Sequence, residues 1–403
     1  MRVAAHTLGC KLNYAETADT LRRLAEQGNE IVPFDAEADM YIINTCTVTA
    51  VAEKKCRNAI RQAVTQCRKA GNADAQVIVM GCMAETSRDE VAAIPGVTAV
   101  YGNERKRMLA HSTADGDRTR IFFKIQDGCD YFCTYCAIPF ARGRSRSATI
   151  EETLCACRKL AEDHRASEVV LTGVNTGTFG QQHGETLLDL LRGLDAIEGI
   201  CRYRISSIEP NLLTDEMIDF IASSRAFLPH FHIPLQAGSD KLLALMHRRY
   251  DTALYRDKLL YIKSKMPDAC IAADVMAGFN GEDEEEFAKV LQFIDSLPIS
   301  YLHVFTYSDR PGTAALRLGE KVPMHIRREH TARLLELSEK KHKAFVDSQM
   351  GKVRPVLWEA TEHGGIMQGW TDNYIRIGRH YDAALTGTIE QVEITTQNII
   401  YER

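Results

Sequence analysis

The 403-residue sequence has no run of 18 apolar residues and so offers no candidate transmembrane helix. Its start, Met1 to Cys10, carries His6 and Cys10 and leads into Lys11. That segment lacks the apolar stretch of a secretory signal, and a cytoplasmic protein with no membrane association is expected. There is no basic excess either: 49 Lys and Arg stand against 54 Asp and Glu, a formal charge of −5. Any nucleic-acid site has to come from a local patch. What is present is an ordinary globular balance, 45% hydrophobic and 26% charged, which excludes a disordered chain. At about 100 to 200 residues per domain, the length calls for two to four compact units.

Twelve cysteines are too few to staple a chain of this size and more than packing requires, which points to metal or redox chemistry. Cys129, Cys133 and Cys136 form a tight C-x3-C-x2-C set. Cys10, Cys46 and Cys82 are spread evenly, each 36 residues from the next. The other six read as ordinary. Cys155 and Cys157 point in different directions on a helix, Cys201 and Cys270 open strands, and Cys56 and Cys67 lie on a basic helix.

Short apolar runs at Val3 to Leu8, Met40 to Asn44 and Val77 to Met80 alternate with helical patterns at 16–27 and 51–69, a small parallel α/β unit. Each spread cysteine falls just after one of those strands. In an open parallel sheet the carboxyl ends of the strands share one edge, so three distant thiols meet in one crevice. A polar stretch from Ser112 to Arg118 reads as a linker. Beyond it, strands are expected at Ile121 to Gln126, Glu168 to Val174, Tyr203 to Ile208, His230 to Leu235, Ile271 to Ala277 and Tyr301 to Tyr307. Helical patterns at 150–163, 214–223 and 283–296 lie between them. Six βα repeats make a partial parallel barrel whose active site lies at the carboxyl ends of its strands. After a charged helix at 325–346, alternating strands at Val353 to Trp358, Ile366 to Trp370, Tyr374 to Ile377, Gly387 to Ile394 and Asn398 to Tyr401 read as a small β-barrel. The domains expected are 1–115, 116–346 and 347–403.

A four-iron cluster is normally held by four thiolates, so a three-cysteine set after a barrel strand leaves one iron open to another ligand. The segment from Asp127 through Gly128, Cys129, Cys133, Tyr135 and Cys136, followed by Ala141-Arg142-Gly143-Arg144-Ser145-Arg146-Ser147, resembles the signature of radical S-adenosylmethionine (SAM) methylthiotransferases. Thr7 to Asn13, Ile43 to Thr49 and Gly81-Cys82 are similar to their amino-terminal domain. His232 to Asp240 and Met246 to Tyr250 match their barrel, and the final segment resembles a TRAM domain. The resemblance covers essentially the whole chain. Within the family, Lys-x-Asn after Cys10 and Thr-Val-Thr after Cys46 are similar to the MtaB branch, which methylthiolates carbon 2 of N6-threonylcarbamoyladenosine next to the tRNA anticodon.

The resemblance implies an α/β fold class: an N-terminal parallel α/β domain, a central partial (β/α)6 radical-SAM barrel and a C-terminal TRAM-like β-barrel. It implies two 4Fe-4S clusters, one on Cys129, Cys133 and Cys136, where SAM binds, and an auxiliary one on Cys10, Cys46 and Cys82. Cofactor contacts are expected from Tyr135, Thr172, Gly173, Asn175, Ser207, Glu209, Gln236, Arg248 and Asp274, and from Arg144 toward the cofactor carboxylate. The partners implied are tRNA carrying threonylcarbamoyladenosine and an electron donor such as flavodoxin or ferredoxin, with the chain acting as a monomer. At position 280 the family usually has proline and this chain has Asn280. Arg142 and Arg146 are candidates for RNA phosphates. So are Lys54, Arg57 and Arg61 on a helix whose segment Glu53 to Lys69 carries a net +5. The terminal segment from 350 onward, with five basic residues against seven acidic, is not. The alternatives are the same chemistry on isopentenyl-adenosine tRNA or a ribosomal protein, and a non-catalytic iron-sulfur or RNA-binding protein.

Overall fold

A computed structural model describes residues 1–69, 71–72, 74–103, 106, 108–111, 119–162 and 167–401, so the expected linker at 112–118 lies outside the described residues. The chain opens with β1 (Arg2–Thr7), α1 (Lys11–Glu26), β2 (Glu30–Val32), β3 (Met40–Thr45), α2 (Ala50–Lys69), β4 (Gln76–Gly81), α3 (Cys82–Thr86), α4 (Arg88–Ala92) and β5 (Ala99–Tyr101). The strands form one parallel sheet in the order β2-β1-β3-β4-β5. β3 and β4 are near-continuous apolar runs because helices cover both faces of such a sheet. Tyr41, Ile43, Val77 and Val79 pack there with Cys56, Ile60 and Val64 of α2. The strand order reverses between β1 and β3, which opens a crevice at their carboxyl ends. Cys10 and Cys46 leave the sheet at that point.

The next elements are β6 (Ala110–His111), β7 (Arg120–Lys124), β8 (Gln126–Asp127), α5 (Ile138–Arg142), β9 (Arg146–Ser147), α6 (Ile150–Glu162), β10 (Glu168–Thr172), α7 (Leu187–Asp195), β11 (Arg202–Ile205), α8 (Asp215–Ser223), β12 (His230–His232), α9 (Asp240–Leu245), α10 (Thr252–Lys265), β13 (Cys270–Ala277), α11 (Glu284–Ser296) and β14 (Tyr301–Thr306). β7, β10 and β11 pair in parallel, as do β12, β13 and β14. A parallel bridge between Ser207 and His232 joins the two runs. The six expected barrel strands are therefore present in the expected sequence. α1 of the first sheet packs along β7.

α12 (Met324–Asp347) leads into β15 (Val353–His363), β16 (Ile366–Thr371), β17 (Arg376–His380) and β18 (Ile389–Glu393). These form an antiparallel sheet in the order β17-β16-β15-β18, curled by a bulge between Trp358 and Glu362. Two expectations change here. The strand expected from Tyr374 starts at Arg376, because Tyr374 sits at φ +69° in a turn after β16. Asn398 to Tyr401 forms no strand and contributes a single bridge from Ile399 to Ile377.

This sheet is tied to the amino ends of the barrel strands by buried charge. Glu168 is fully buried and accepts from Arg204 at 3.0 and 3.3 Å. Arg204 and Arg202 reach on to the carbonyls of Asp372, Trp370 and Pro355. Burial opposes ionisation of Glu168, but Arg204 foremost, with Arg120 and Arg202, pulls its pKa below the ordinary carboxylate range. Glu168→Ala strands two buried guanidinium groups and is expected to cost about 3–5 kcal/mol in denaturant unfolding. Glu168→Gln, which keeps an acceptor, is expected to cost less.

Candidate active site

Cys10, Cys46 and Cys82 follow the carboxyl ends of β1, β3 and β4, Cys129, Cys133 and Cys136 lie in the loop between β8 and α5, and glycine shapes two of the exits. Gly81, immediately before Cys82, adopts φ +101°, and a Cβ there would meet Thr45 O at 2.5 Å and Thr45 N at 2.7 Å. Gly128, immediately before Cys129, adopts φ +71°, and a Cβ would drive into the Arg144 carbonyl and come within 2.7 Å of Gly143 O. Only glycine fits such positions without moving the backbone. Gly81→Ala is expected to displace Cys82 and lower bound iron toward that of a single cluster, measured by iron assay after anaerobic reconstitution.

Cys46 and Cys82 are buried and Cys10 is exposed. Burial pushes the Cys46 thiol up to about 12, with further upward contributions from Cys82 and Cys10, which places the three in one electrostatic neighbourhood. Cys56, which carried no expected role, supports the set: its Sγ accepts from Cys46 N at 3.3 Å. Asn13 donates to Leu8 O at 2.8 Å and Thr45 O at 3.1 Å, holding the loops of Cys10 and Cys46 together.

In the barrel, burial pushes Cys129 to about 11 and Cys136 to about 12, and Cys133 is raised as well. Cys133 acts on both of the others. Arg248 converges on this set. Its side chain is 3% exposed, its Nη1 donates to Cys133 Sγ at 3.1 Å and to Tyr135 Oη at 3.3 Å, its Nε donates to Tyr250 Oη at 3.0 Å, and its Nη2 pairs with Glu209. Burial raises the Glu209 carboxyl despite that pairing. Gln126, absent from the sequence-based expectations, is fully buried and organises two loops. Its Oε1 accepts from Val174 N and Asn175 N, both at 2.9 Å, and its Nε2 donates to Gly128 O at 2.8 Å and Ser145 Oγ at 3.0 Å. A Cβ on Gly173 would meet Gln126 Oε1 at 2.8 Å.

Thr172 and Ser206 are buried, and their hydroxyl oxygens have no hydrogen-bond partner among the described residues. Unsatisfied buried hydroxyls at the carboxyl ends of neighbouring strands suit a polar ligand bound there. Ser207 accepts from Thr176 Oγ1 through its carbonyl at 2.8 Å. Gln236 adopts φ +65°, and its backbone is fixed to β13 by bonds to Asp274 O and from Met276 N. Asp274 pairs with His232 Nε2 at 2.7 Å, which pulls its carboxyl below the ordinary range despite burial. Asn280 is fully buried and donates to Ala315 O at 2.7 Å, so the side chain standing where proline is usual fixes its loop by its own bond.

The arginines of the cluster loop depart from expectation. Arg144, expected at the cofactor carboxylate, is 76% exposed, pairs with Asp130 at 3.2 Å and lies over the outer face of Phe132. Arg142, expected on RNA, is 3% exposed and bonded to Glu16, Asp127 and Asn13. It ends α5, which turns its side chain into the interface with α1 rather than toward solvent. Arg146 is held by Asp127 at 3.0 Å and by the Arg142 carbonyl at 2.7 Å, with a third of its side chain exposed. On α2, Lys54 and Arg61 are exposed, whereas Arg57 pairs with Glu90 at 2.8 Å.

Residues 2–102 match the model of the uncharacterized protein family UPF0004, and residues 123–294 match the radical SAM superfamily. The chain is 38% identical to a threonylcarbamoyladenosine tRNA methylthiotransferase of Bacillus subtilis over 97% of this chain and 93% of that protein. It is 36% identical to the protein of that name in Aquifex aeolicus over 94% and 97%. A tRNA-2-methylthio-N(6)-dimethylallyladenosine synthase of Desulfitobacterium hafniense is 29% identical over 98% and 95%. Among solved structures, the radical SAM methyltransferase TsrM of Kitasatospora setae superposes with a TM-score of 0.55 at 14% identity, covering 76% of this chain and 74% of that one, a likeness of fold alone. The cysteine sets lie one in each of the two matched segments, and the chain belongs to the radical SAM methylthiotransferases, in the threonylcarbamoyladenosine tRNA methylthiotransferase family.

Proposed function

We propose that this enzyme transfers a methylthio group to carbon 2 of N6-threonylcarbamoyladenosine in tRNA, with Cys129, Cys133 and Cys136 holding one 4Fe-4S cluster and Cys10, Cys46 and Cys82 the other. The observation that carries this reading is the pair of three-thiol sets, each at the carboxyl edge of its own parallel sheet, on units packed together through α1 and β7. SAM held with the cluster on Cys129, Cys133 and Cys136 would supply radical chemistry, and the cluster on Cys10, Cys46 and Cys82 would supply the sulfur. The chain's own residues bind and orient. Arg248 donates to the Cys133 sulfur and holds Tyr135 and Glu209; Gln126 fixes the loop before Cys129 to the loop after β10; Thr172 and Ser206 offer unpaired hydroxyls to the cofactor. α1 of the first sheet packs on β7, next to the barrel loop that carries the three cysteines.

Lys11, adjacent to Cys10, supports an anionic substrate group. Lys11 is half-buried, burial lowers its pKa, and Tyr374, Arg120, Arg204 and Glu168 of the barrel and terminal sheet act on it. An ammonium at that position favours the carboxylate of a threonylcarbamoyl group and gains no such partner from an isopentenyl group. The test is competition between tRNAs carrying each modification. Conversion of the threonylcarbamoyl form alone is expected; equal conversion of both would reject this substrate and leave methylthio transfer standing. The physiological electron donor is expected to be a flavodoxin or ferredoxin, and the chain to act as a monomer.

For the RNA, Lys54 and Arg61 on the exposed side of α2 remain the candidates, with Arg57 reachable once its pairing to Glu90 opens. Arg57→Ala with Arg61→Ala is expected to weaken tRNA binding and reduce the slope of log affinity against log salt by about 0.7–0.9 per lost phosphate contact. An unchanged slope in a salt titration would reduce this face to ordinary surface.

A further inference from the structure

The buried Arg142 stands between the two cysteine sets. It closes α5, the helix that begins two residues after Cys136. Its Nη1 donates to Asp127 Oδ1 at 2.9 Å, two residues before Cys129, and to Glu16 Oε1 at 2.9 Å on α1. Its Nη2 donates to Asn13 Oδ1 at 2.5 Å. Asn13 in turn holds Leu8 O and Thr45 O, the backbone on which Cys10 and Cys46 stand. The third cysteine is reached from the same helix, because α3, which begins at Cys82, packs on α5, and Asn103 bonds to Ala141 O at 2.5 Å. One planar guanidinium therefore contacts the loop of the barrel set directly and, through one amide, two loops of the other set.

Its charge is as well placed as its geometry. Burial disfavours the cation, yet Cys82 foremost, then Glu16, Asp127 and Cys10, hold its pKa well above the ordinary arginine value. Lys106 pairs with Glu16, and Lys124 lies 2.9 Å from Glu16 and 2.8 Å from Asp127, so three buried cations share two carboxylates beside the thiols of Cys10 and Cys82. A cluster on three thiolates is anionic, and such a basic setting suits it. Arginine alone supplies a fixed charge with a planar, two-sided fork; lysine keeps the charge and loses the fork.

We propose that Arg142 is a positioning residue that fixes the two cluster-binding loops relative to each other through Asp127 and Asn13, and that its permanent charge makes the cluster on Cys10, Cys46 and Cys82 easier to reduce. The inference rests on the assignment of clusters to the two cysteine sets. Separation and alignment of the two sites govern whether a radical made at one is used at the other, since small misplacements of reacting groups cost large factors in rate.

The experiment compares wild type, Arg142→Gln, Arg142→Lys and Asn13→Ser after anaerobic reconstitution. Cluster content is read by Mössbauer spectroscopy, and the midpoint potential of the auxiliary cluster by EPR-monitored titration in a Cys129/Cys133/Cys136→Ala background. The ratio of 5′-deoxyadenosine to methylthiolated nucleoside is measured with the barrel cysteines intact. Arg142→Gln is expected to lower the auxiliary potential; Arg142→Lys is expected to keep it near wild type. Arg142→Lys and Asn13→Ser, which each cut the bridge from one side, are both expected to raise the product ratio about tenfold or more. An auxiliary potential unmoved by Arg142→Gln, or ratios unmoved in Arg142→Lys and Asn13→Ser, overturns the proposal. So does a proportional loss of both products with a lowered melting temperature in every variant, the signature of structural damage alone. Absence of a second cluster in the wild type would instead sink the underlying assignment.

Discussion

Replacing Cys129, Cys133 and Cys136 together by alanine is expected to abolish 5′-deoxyadenosine formation while leaving the iron bound by the other set. The reverse replacement, at Cys10, Cys46 and Cys82, is expected to leave reductive SAM cleavage and to eliminate methylthio product. The asymmetry follows from placement. One set follows β7 at the mouth of the barrel, where Arg248, Tyr135, Thr172 and Gln126 gather; the other opens from β1, β3 and β4 of a separate sheet. Cys82 and Cys10 act on Cys46, and Cys133 and Cys129 act on Cys136, so each set forms its own group of thiols and loss of one set removes one site. Chromatography of 5′-deoxyadenosine beside an iron and sulfide assay reads both halves of the expectation. Loss of both clusters in either variant would show that the sites form cooperatively, and binding of zinc alone by the wild type would contradict cluster chemistry altogether.

Arg248→Ala is expected to reduce SAM cleavage by two to three orders of magnitude. The side chain is buried and engages Glu209, Cys133, Tyr135 and Tyr250 at once. Removing one preorganised donor from an active site typically lowers the rate about 10²–10³-fold, about 2.7–4 kcal/mol. Burial already raises the Glu209 carboxyl, and loss of the guanidinium, which lowers it, raises it further. Arg248→Lys restores the charge without the contacts to three partners and is expected to recover part of the loss. Initial rates of 5′-deoxyadenosine formation under dithionite provide the measure; Arg248→Ala at wild-type rate would remove Arg248 from the cofactor site.

The features legible in the sequence were those encoded locally. Cys129, Cys133 and Cys136 lie within eight residues, and the runs around Met40 and Val77 are long enough and apolar enough to announce parallel strands. The barrel strands appear in the predicted order because β-branched and apolar runs alternate with amphipathic helices. Short edge strands were not legible: β2 and β5 span three residues each, too few to show a period. Destinations of long polar side chains were the other blind spot. Arg142, Arg144 and Arg146 look equivalent in the sequence, yet one is buried at the end of a helix, one lies on the outer surface and one is clamped by Asp127. Gln126 and Glu16 had no signature, because their partners lie tens to more than a hundred residues away. A glutamine closing a strand before a cysteine loop, or a glutamate on an otherwise ordinary helix, carries no local mark of being buried.

Methylthio transfer to threonylcarbamoyladenosine in tRNA is read without intermediate steps by mass spectrometry of nucleosides from total tRNA, with and without the gene. On deletion, 2-methylthio-N6-threonylcarbamoyladenosine is expected to disappear and N6-threonylcarbamoyladenosine to accumulate in its place, with the product restored by the wild-type gene and not by the Cys10/Cys46/Cys82→Ala gene. Persistence of the methylthiolated nucleoside in the deletion strain, or its restoration by the triple-alanine gene, would show that this enzyme is not its source or that the three cysteines do not hold the sulfur-donating cluster.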